Sequence, residues 1–225
     1  MIATVSVIIP TWNEERWIAG TVASALAAGA SEVLVADGGS SDRTAALAAE
    51  AGARVLSCAA HRARQMNEAA KAATGDALIF LHADTHLPEG AASLVAGTLA
   101  DGEVVFGGFR IAFLEPVRRL RTAASMINFR TRTTRCPWGD QAQFIRRDTF
   151  LRVGGFREIA LMEDYDLALR MKREGKTIVL PQSVATSGRR FLSKGVLRTA
   201  AINWSIIIRF RLGADPDELA RAYRS

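Results

Sequence analysis

The chain has 225 residues, 49% hydrophobic and 23% charged, enough apolar side chain for one full-sized α/β core. This composition excludes intrinsic disorder, a collagen-like repeat and a disulfide-stapled miniature, and the longest apolar stretches, about ten residues, fall short of the ~20 a spanning helix needs. The net charge of +6 is uneven: residues 1–100 hold six basic and ten acidic side chains, residues 101–225 hold 23 and 13. All but Lys71, Lys172, Lys176 and Lys194 of the basic side chains are arginine, which suits phosphate or carboxylate recognition and equally fits a codon bias. Met1–Pro10 has no basic segment and does not read as a signal peptide. Cys58 and Cys136, far apart and without CxxC spacing, fit a reduced, cytoplasmic compartment.

The first hundred residues alternate short apolar runs with helical patterns. Val5–Pro10 reads as a buried strand, Glu14–Ala27 as a helix and Glu32–Ala36 as a second strand. Ser40-Ser41-Asp42 caps a helix running to Ala51 and stopped by Gly52. Arg54–Leu56 is a third strand, His61–Ala73 a third helix, and Ala77–Leu81 a fourth strand that is almost wholly apolar. This order implies a parallel sheet with right-handed crossovers, whose ligands bind beyond the carboxyl ends of the strands. Three loops sit there, Pro10–Glu14, Asp37–Ser40 and His82–Thr85, each polar and each with a carboxylate.

Beyond residue 100 the pattern predicts a strand over Val104–Phe113, an arginine-rich helix over Pro116–Thr134 and a short strand over Ala142–Arg147. Asp148 caps a helix leading to Gly154-Gly155-Phe156. Met162–Glu174 reads as a helix, Thr177–Leu180 as a strand, Val196–Leu212 and Asp215–Tyr223 as the last helices. No repeat or linker interrupts the chain, so residues 1–190 read as one domain and 191–225 as a C-terminal helical appendage.

Asp37-Gly38-Gly39-Ser40-Ser41-Asp42 follows a strand and opens a helix, so its carboxylate can accept from a nucleobase or ribose, or the loop is a plain turn with Asp42 as cap partner. Neither GxGxxG after the first strand nor GxxxxGK[ST] is present, which counts against NAD and a P-loop ATPase. Asp84, at the mouth of the most apolar strand, needs a metal or polar partner, or caps the turn. Magnesium and manganese use one or two carboxylates plus substrate phosphates. Glu163, Asp164 and Asp166 open a helix, where acids complement the macrodipole and where one facing a cleft can act as a general base. Asp164 and Asp166, two residues apart, point to different sides.

The ordered set PTWNE, DGGSSD, Arg62–Asn67, HAD, GDQ, GGF and MEDYD resembles the family-2 glycosyltransferases of the GT-A nucleotide-sugar fold, over about residues 3–190. The resemblance implies a Rossmann-like, mostly parallel central sheet. It implies an inverting transfer from a UDP- or GDP-linked sugar to an acceptor hydroxyl, assisted by a divalent cation, manganese or magnesium. By position, Pro10, Asn13, Glu14, Asp37, Gly38 and Arg64 would bind the nucleotide and Asp84 the metal, as the last residue of the family's D-x-D. This chain departs at the first position of that triplet, where His82 stands. Asp164 matches the catalytic base, with Glu163 beside it, and Trp138, Gly139, Asp140 and Gln141 fall on the acceptor side. The Q-x-x-R-W of processive synthases is missing, with only Gly188-Arg189-Arg190-Phe191 nearby, which favours a single addition to a small or lipid-linked acceptor.

The rival readings are a nucleotidyltransferase, disfavoured by PTWNE where a glycine-rich basic loop belongs, and a non-catalytic nucleotide- or membrane-surface-binding module, which His82 keeps open. Nucleic-acid binding is not expected, because no aromatic platform or recognition motif accompanies the arginines. Ile202–Phe210, flanked by Arg198, Arg209 and Arg211, reads as a helix peripheral to the chemistry. It packs on the body or a second subunit, or contacts the inner face of the membrane peripherally.

Overall fold

The computed structural model describes residues 2–224, with side chains through Tyr223. In chain order the elements are β1 (Val5–Thr11), α1 (Ile18–Ala27), β2 (Glu32–Asp37), α2 (Thr44–Glu50), β3 (Arg54–Ser57), α3 (Arg62–Ala72), β4 (Ala77–Phe80), β5 (Thr85–His86), α4 (Ala91–Ala100) and β6 (Val104–Phe113). They continue as α5 (Arg118–Thr134), a 3-10 turn (Gly139–Gln141), β7 (Gln143–Arg146), α6 (Arg147–Arg152), α7 (Glu163–Glu174), β8 (Lys176–Thr186), α8 (Arg189–Lys194), α9 (Val196–Arg211) and α10 (Pro216–Arg224).

The strands form a single mixed sheet in the order β3-β2-β1-β4-β7-β6-β8-β5. β3, β2, β1 and β4 run parallel, β7 is antiparallel to β4 and β6, β6 and β8 are parallel, and β5 closes the edge antiparallel to β8. The strand order turns back between β1 and β4, the kind of switch point where open α/β sheets bind ligands.

The strands are apolar on both faces because both are covered. Val7, Ile9, Val35 and Ile79 pack with Ile18 and Val22 of α1 and Val95 and Leu99 of α4. Ile8, Leu34, Leu78 and Phe80 pack on the other face with Met66 of α3, Phe150 of α6, and Leu167 and Met171 of α7. Phe80, Phe150 and Phe156 form an aromatic knot with ring centroids 4.7–5.3 Å apart.

Most boundaries lie within a few residues of those the pattern predicts. The last strand differs, running from Lys176 to Thr186 rather than stopping at Leu180. Pro181 suggests an end, yet the ladder with β6 skips from Leu180 to Ser183, so Pro181 and Gln182 sit in an irregularity where a missing N–H does no harm. β5, α4 and α8 are further elements that the pattern reading does not assign.

Candidate active site

Two loops carry the residues expected around the nucleoside, and the hydrogen bonds between them explain why they stand together. Asp37, at the end of β2, accepts from the backbone N–H groups of Gly39 and Ser40 at 3.1 and 2.9 Å and from the hydroxyls of Ser40 and Thr11. Asn13, which takes a left-handed φ of 55° that asparagine tolerates, accepts from the Ser41 N–H at 2.8 Å and donates its own N–H to Ser40 Oγ. Glu14 N–H donates to Thr44 Oγ1 at 2.7 Å, and Asp42 accepts from the Thr44 N–H, which confirms Asp42 as a partner at the start of α2. Pro10, paired across the sheet with Ala36, and Gly38, whose N–H donates to Thr11 O, complete this edge. Gln65 of α3 locks it from below, donating to the carbonyls of Thr11 and Ala36.

Beside this edge opens a cleft of about 340 Å³ lined by Arg62, His82, Asp84, Trp138, Asp140, Glu163, Asp164, Arg189 and Arg190, among others. Arg189 joins cleft to edge: its Nη1 and Nη2 donate to both carboxylate oxygens of Glu14 at 3.0 and 2.7 Å, and its Nε lies 3.3 Å from Asp84 Oδ2. Burial, with Glu14 nearby, raises the Asp84 carboxyl above its ordinary value, while Arg189 pulls it down.

Asp164 stands at the floor of the cleft. Its Oδ2 accepts from the Gly139 N–H at 2.6 Å and its Oδ1 from the Tyr165 N–H at 2.7 Å. A β-carbon built on Gly139 would lie 2.6 Å from Arg62 Nη2, 2.9 Å from Asp164 Oδ2 and 3.0 Å from His82 Nε2. Only a residue without a side chain lets these three groups converge. Arg62 Nη1 donates to the buried Glu163 at 2.8 Å, and Nη2 donates to His82 Nε2 at 2.5 Å. Because guanidinium can only donate, the His82 proton resides on Nδ1. Burial, then the charges of Arg62 and Arg189, hold the His82 pKa well below 6.5, so the ring is neutral at pH 7. Burial raises Glu163, against the pull of Arg62, and raises Asp140 to about 6. The backbone beside these groups is strained: Met162, immediately before α7, has φ 71°, and Ala142, after the 3-10 turn, has φ 46°.

Several expected residues are placed differently. Arg64 does not line the cleft; it forks onto Glu158 at 2.7–3.1 Å on an exposed surface, and Arg62, one residue pair earlier on α3, faces the cleft in its stead. Gln141 is fully buried, accepting from Arg130, Thr131 and the Trp138 N–H and donating to Phe109 O, so it shapes the turn. Asp166 bridges Arg157 and Arg170 away from the cleft, on a different side from Asp164 as the helical spacing requires. The C-terminal segment is not remote from the site: Phe191, Thr199, Asn203, Ile206 and Tyr223 line the cleft, with Arg190 stacked 3.3 Å from the Tyr223 ring centroid. Pattern reading missed Arg62, although it lies in the basic helix already singled out, and gave Arg189 no role, although the paired arginines after the last strand were its visible signal.

Among the described residues no group of three or more His, Cys, Asp and Glu side chains is arranged to hold a metal ion. The donors nevertheless suit a hard cation that leans on substrate phosphates: Asp84 is a buried carboxylate met by the exposed Arg189 and, at 3.5 Å, by the Thr85 hydroxyl, and His82 is covered by Arg62.

The Glycosyl transferase family 2 model matches residues 6–159. The chain belongs to this family, and it is a glycosyltransferase. Its fold is GT-A. The mannosyltransferase PcManGT from Pyrobaculum calidifontis, solved with GDP-Man and Mn2+, is 19% identical and superimposes with a TM-score of 0.68 over 99% of this chain and 69% of its own. S. aureus TarS 1-349 in complex with UDP-GlcNAc gives 16% identity and a TM-score of 0.65, covering 98% and 71% of the two chains. Glucosyl-3-phosphoglycerate synthase from Mycobacterium tuberculosis, with Mn2+, UDP and glucosyl-3-phosphoglycerate, gives 20% and 0.61 over 94% and 80%. No curated protein matches. No helix among the described residues is long and apolar enough to cross a membrane.

Proposed function

We propose that this glycosyltransferase moves a sugar from a UDP- or GDP-linked donor to an acceptor hydroxyl with inversion at the anomeric carbon, Asp164 acting as general base. The observation that carries this reading is the convergence of Asp164, Arg62 and His82 on Gly139, in one cleft with Asp84 and Arg189. In this reading residues 1–190 are the catalytic body and residues 191–225 its helical cover.

Pro10, Asn13, Glu14, Asp37 and Gly38 hold the nucleoside at the strand ends. Arg189 swings from Glu14 and Asp84 to the diphosphate, exchanging carboxylate for phosphate oxygens in the same fork geometry. Asp84 would hold a divalent cation, which supplies charge neutralisation to the departing diphosphate. Arg62, pinned by Glu163, keeps a fixed positive charge where the leaving group develops its own, a preorganised arrangement that needs no reorientation during reaction. Asp164, held by two N–H donors, takes the acceptor proton as the hydroxyl oxygen bonds to the anomeric carbon and the bond to the diphosphate breaks. One displacement inverts the centre, and no second carboxylate is needed as covalent nucleophile. Trp138, Gly139, Asp140 and Glu163 border the acceptor side.

The test is calorimetry of UDP and GDP with manganese and after chelation, on wild type and Asp84→Ala, beside the anomeric configuration of the product by NMR. Tight nucleotide binding that loses affinity on chelation and in Asp84→Ala, with an inverted product, supports the reading. Absence of binding to either nucleotide, or a retained configuration, overturns it.

A further inference from the structure

Of the nine large apolar side chains left exposed among the described residues, six lie on α5, on α9 or at the end of α9. Along α9 they are Leu197, Trp204, Ile208 and Leu212, whose helical spacing keeps them on one side. The other side, Thr199, Ile206 and Ile207, is buried. The apolar run seen in the sequence is thus divided between the protein interior and solvent. Met126 and Phe129 of α5 stand across a groove from Trp204 and extend the same surface. Single exposed apolar side chains are ordinary, whereas a clustered set marks an interaction surface.

The charge of these two segments has one sign. Residues 116–139 hold six arginines and no carboxylate, and residues 188–214 hold five arginines, one lysine and no carboxylate. Carboxylates return only at Glu115 and Asp140, which flank the first segment, and at Asp215 beyond α9. Arg119, seven residues before Met126, and Arg211, seven after Trp204, are exposed on the apolar sides of their helices, and Arg198 is exposed next to Leu197. A second copy of the chain would set this positive face against itself, which like charge opposes. A nucleic acid would meet the arginines through its phosphates and leave Leu197, Ile208 and Leu212 without apolar partners. An anionic bilayer answers both features, its headgroups taking the guanidinium groups and its acyl boundary the apolar stripe.

We propose that the outer side of α5 and α9 is an interfacial surface that seats the protein on an anionic membrane. Leu197, Trp204, Ile208 and Leu212, with Met126 and Phe129, enter the headgroup layer, while Arg119, Arg198 and Arg211 pair with the lipid phosphates. No helix among the described residues is long and apolar enough to cross the bilayer, so α9 lies along it. The surface fixes where the enzyme sits and is independent of which sugar it moves and to what.

The probes are vesicles of phosphatidylcholine alone and of phosphatidylcholine with about one-third phosphatidylglycerol, read by sedimentation and tryptophan fluorescence. Wild type is expected to bind the anionic vesicles roughly tenfold or more tightly than the neutral ones, and to lose affinity as salt rises. Binding should shift tryptophan emission to the blue, and Trp204→Phe should abolish the shift while the protein still sediments. Phe129→Ser combined with Ile208→Ser removes two exposed apolar side chains and should weaken anionic-vesicle binding roughly tenfold. Arg119→Glu combined with Arg198→Glu should erase the preference for anionic vesicles. Both pairs lie at exposed positions, so Tm and UDP or GDP affinity should hold, which separates a failure here from a failure of the glycosyl-transfer reading. Absence of binding, equal binding to both vesicles, or unchanged affinity in the two double variants overturns the proposal. So does a blue shift that survives Trp204→Phe, which would put another face on the lipid. A dimer in solution that the serine pair dissociates overturns it as well, since a second copy would then cover the surface.

Discussion

On the side of the cleft proposed for the nucleotide the polar groups answer one another: Asp37, Asn13, Glu14 and Asp42 meet the N–H groups and hydroxyls of two neighbouring loops. On the opposite side, where α5, α8, α9 and the 3-10 turn meet, Arg130, Asp140 and Arg190 leave buried atoms unanswered, and exposed aromatic side chains line an open groove. The first wall is complete in itself, so it can present a rigid edge to a nucleoside. The second leaves polar atoms of Arg130, Asp140 and Arg190 inside the protein without partners. Between them stands Asp164, whose carboxylate accepts from the N–H of Gly139, 25 residues away.

The largest expected effect tests whether that meeting point is the seat of chemistry. Asp164→Asn should retain nucleotide affinity and lower kcat by ~10²–10⁴, the range of a general base. Asp166→Asn should lower Tm through the loss of its Arg157 and Arg170 partners and leave kcat nearly intact. Measured kcat for the two variants decides this, and near-wild-type turnover in Asp164→Asn would remove the base from the mechanism.

Gly139→Ala pushes a methyl group into the convergence of Arg62, Asp164 and His82. Their flexible ends can move aside, so Tm should change little while kcat falls by up to ~10²-fold, as expected of misplaced catalytic groups. Parallel thermal melts and kinetics would show the split; a large Tm drop with intact kcat would contradict it.

Asp37→Ala breaks the self-contained wall. Its carboxylate receives four hydrogen bonds, and losing charge-assisted bonds costs ~1.5–3 kcal/mol each at most when their donors stay buried. Both stability and nucleotide affinity should drop, whereas changes on the groove wall should spare the nucleotide. Denaturant unfolding with calorimetry reads both, and unchanged affinity would take the loop out of the site.

Asp140 gives the opposite wall a pH signature. Its carboxyl is raised from 3.8 to about 6 by burial, so the folded state holds its proton longer than the unfolded chain. Stability contributed by the protonated form is therefore present below about pH 4 and is lost as pH rises through about 6. Asp140→Asn should flatten that slope and raise stability at neutral pH by on the order of 1–3 kcal/mol, read from denaturant midpoints between pH 4 and 8. An unaltered slope would place the titration elsewhere. The smallest effect belongs to Arg64→Ala, whose exposed pairing with Glu158 should leave Tm and nucleotide affinity unchanged; a marked loss of affinity would return Arg64 to the site.

Much of this was legible in the residues themselves. Val5–Pro10, Glu32–Ala36 and Ala77–Leu81 read as buried strands because both faces of the sheet are covered, and their polar ends stand together because parallel strands deliver their loops to one edge. The helical period placed Asp164 and Asp166 on different sides, as the structure has them. Tertiary structure alone decided which arginine of α3 enters the cleft. It also decided that Gln141 is taken up inside the protein and that the C-terminal helices wall the site. Arg189 reaches Glu14 across 175 residues of chain. A long, flexible, charged side chain leaves no periodic trace of its partner, and its direction is set by which carboxylate the folded chain brings within reach. Strand and helix periods come from the local backbone and so can be read locally; the charged network and the groove between α5 and α9 exist only once distant segments pack.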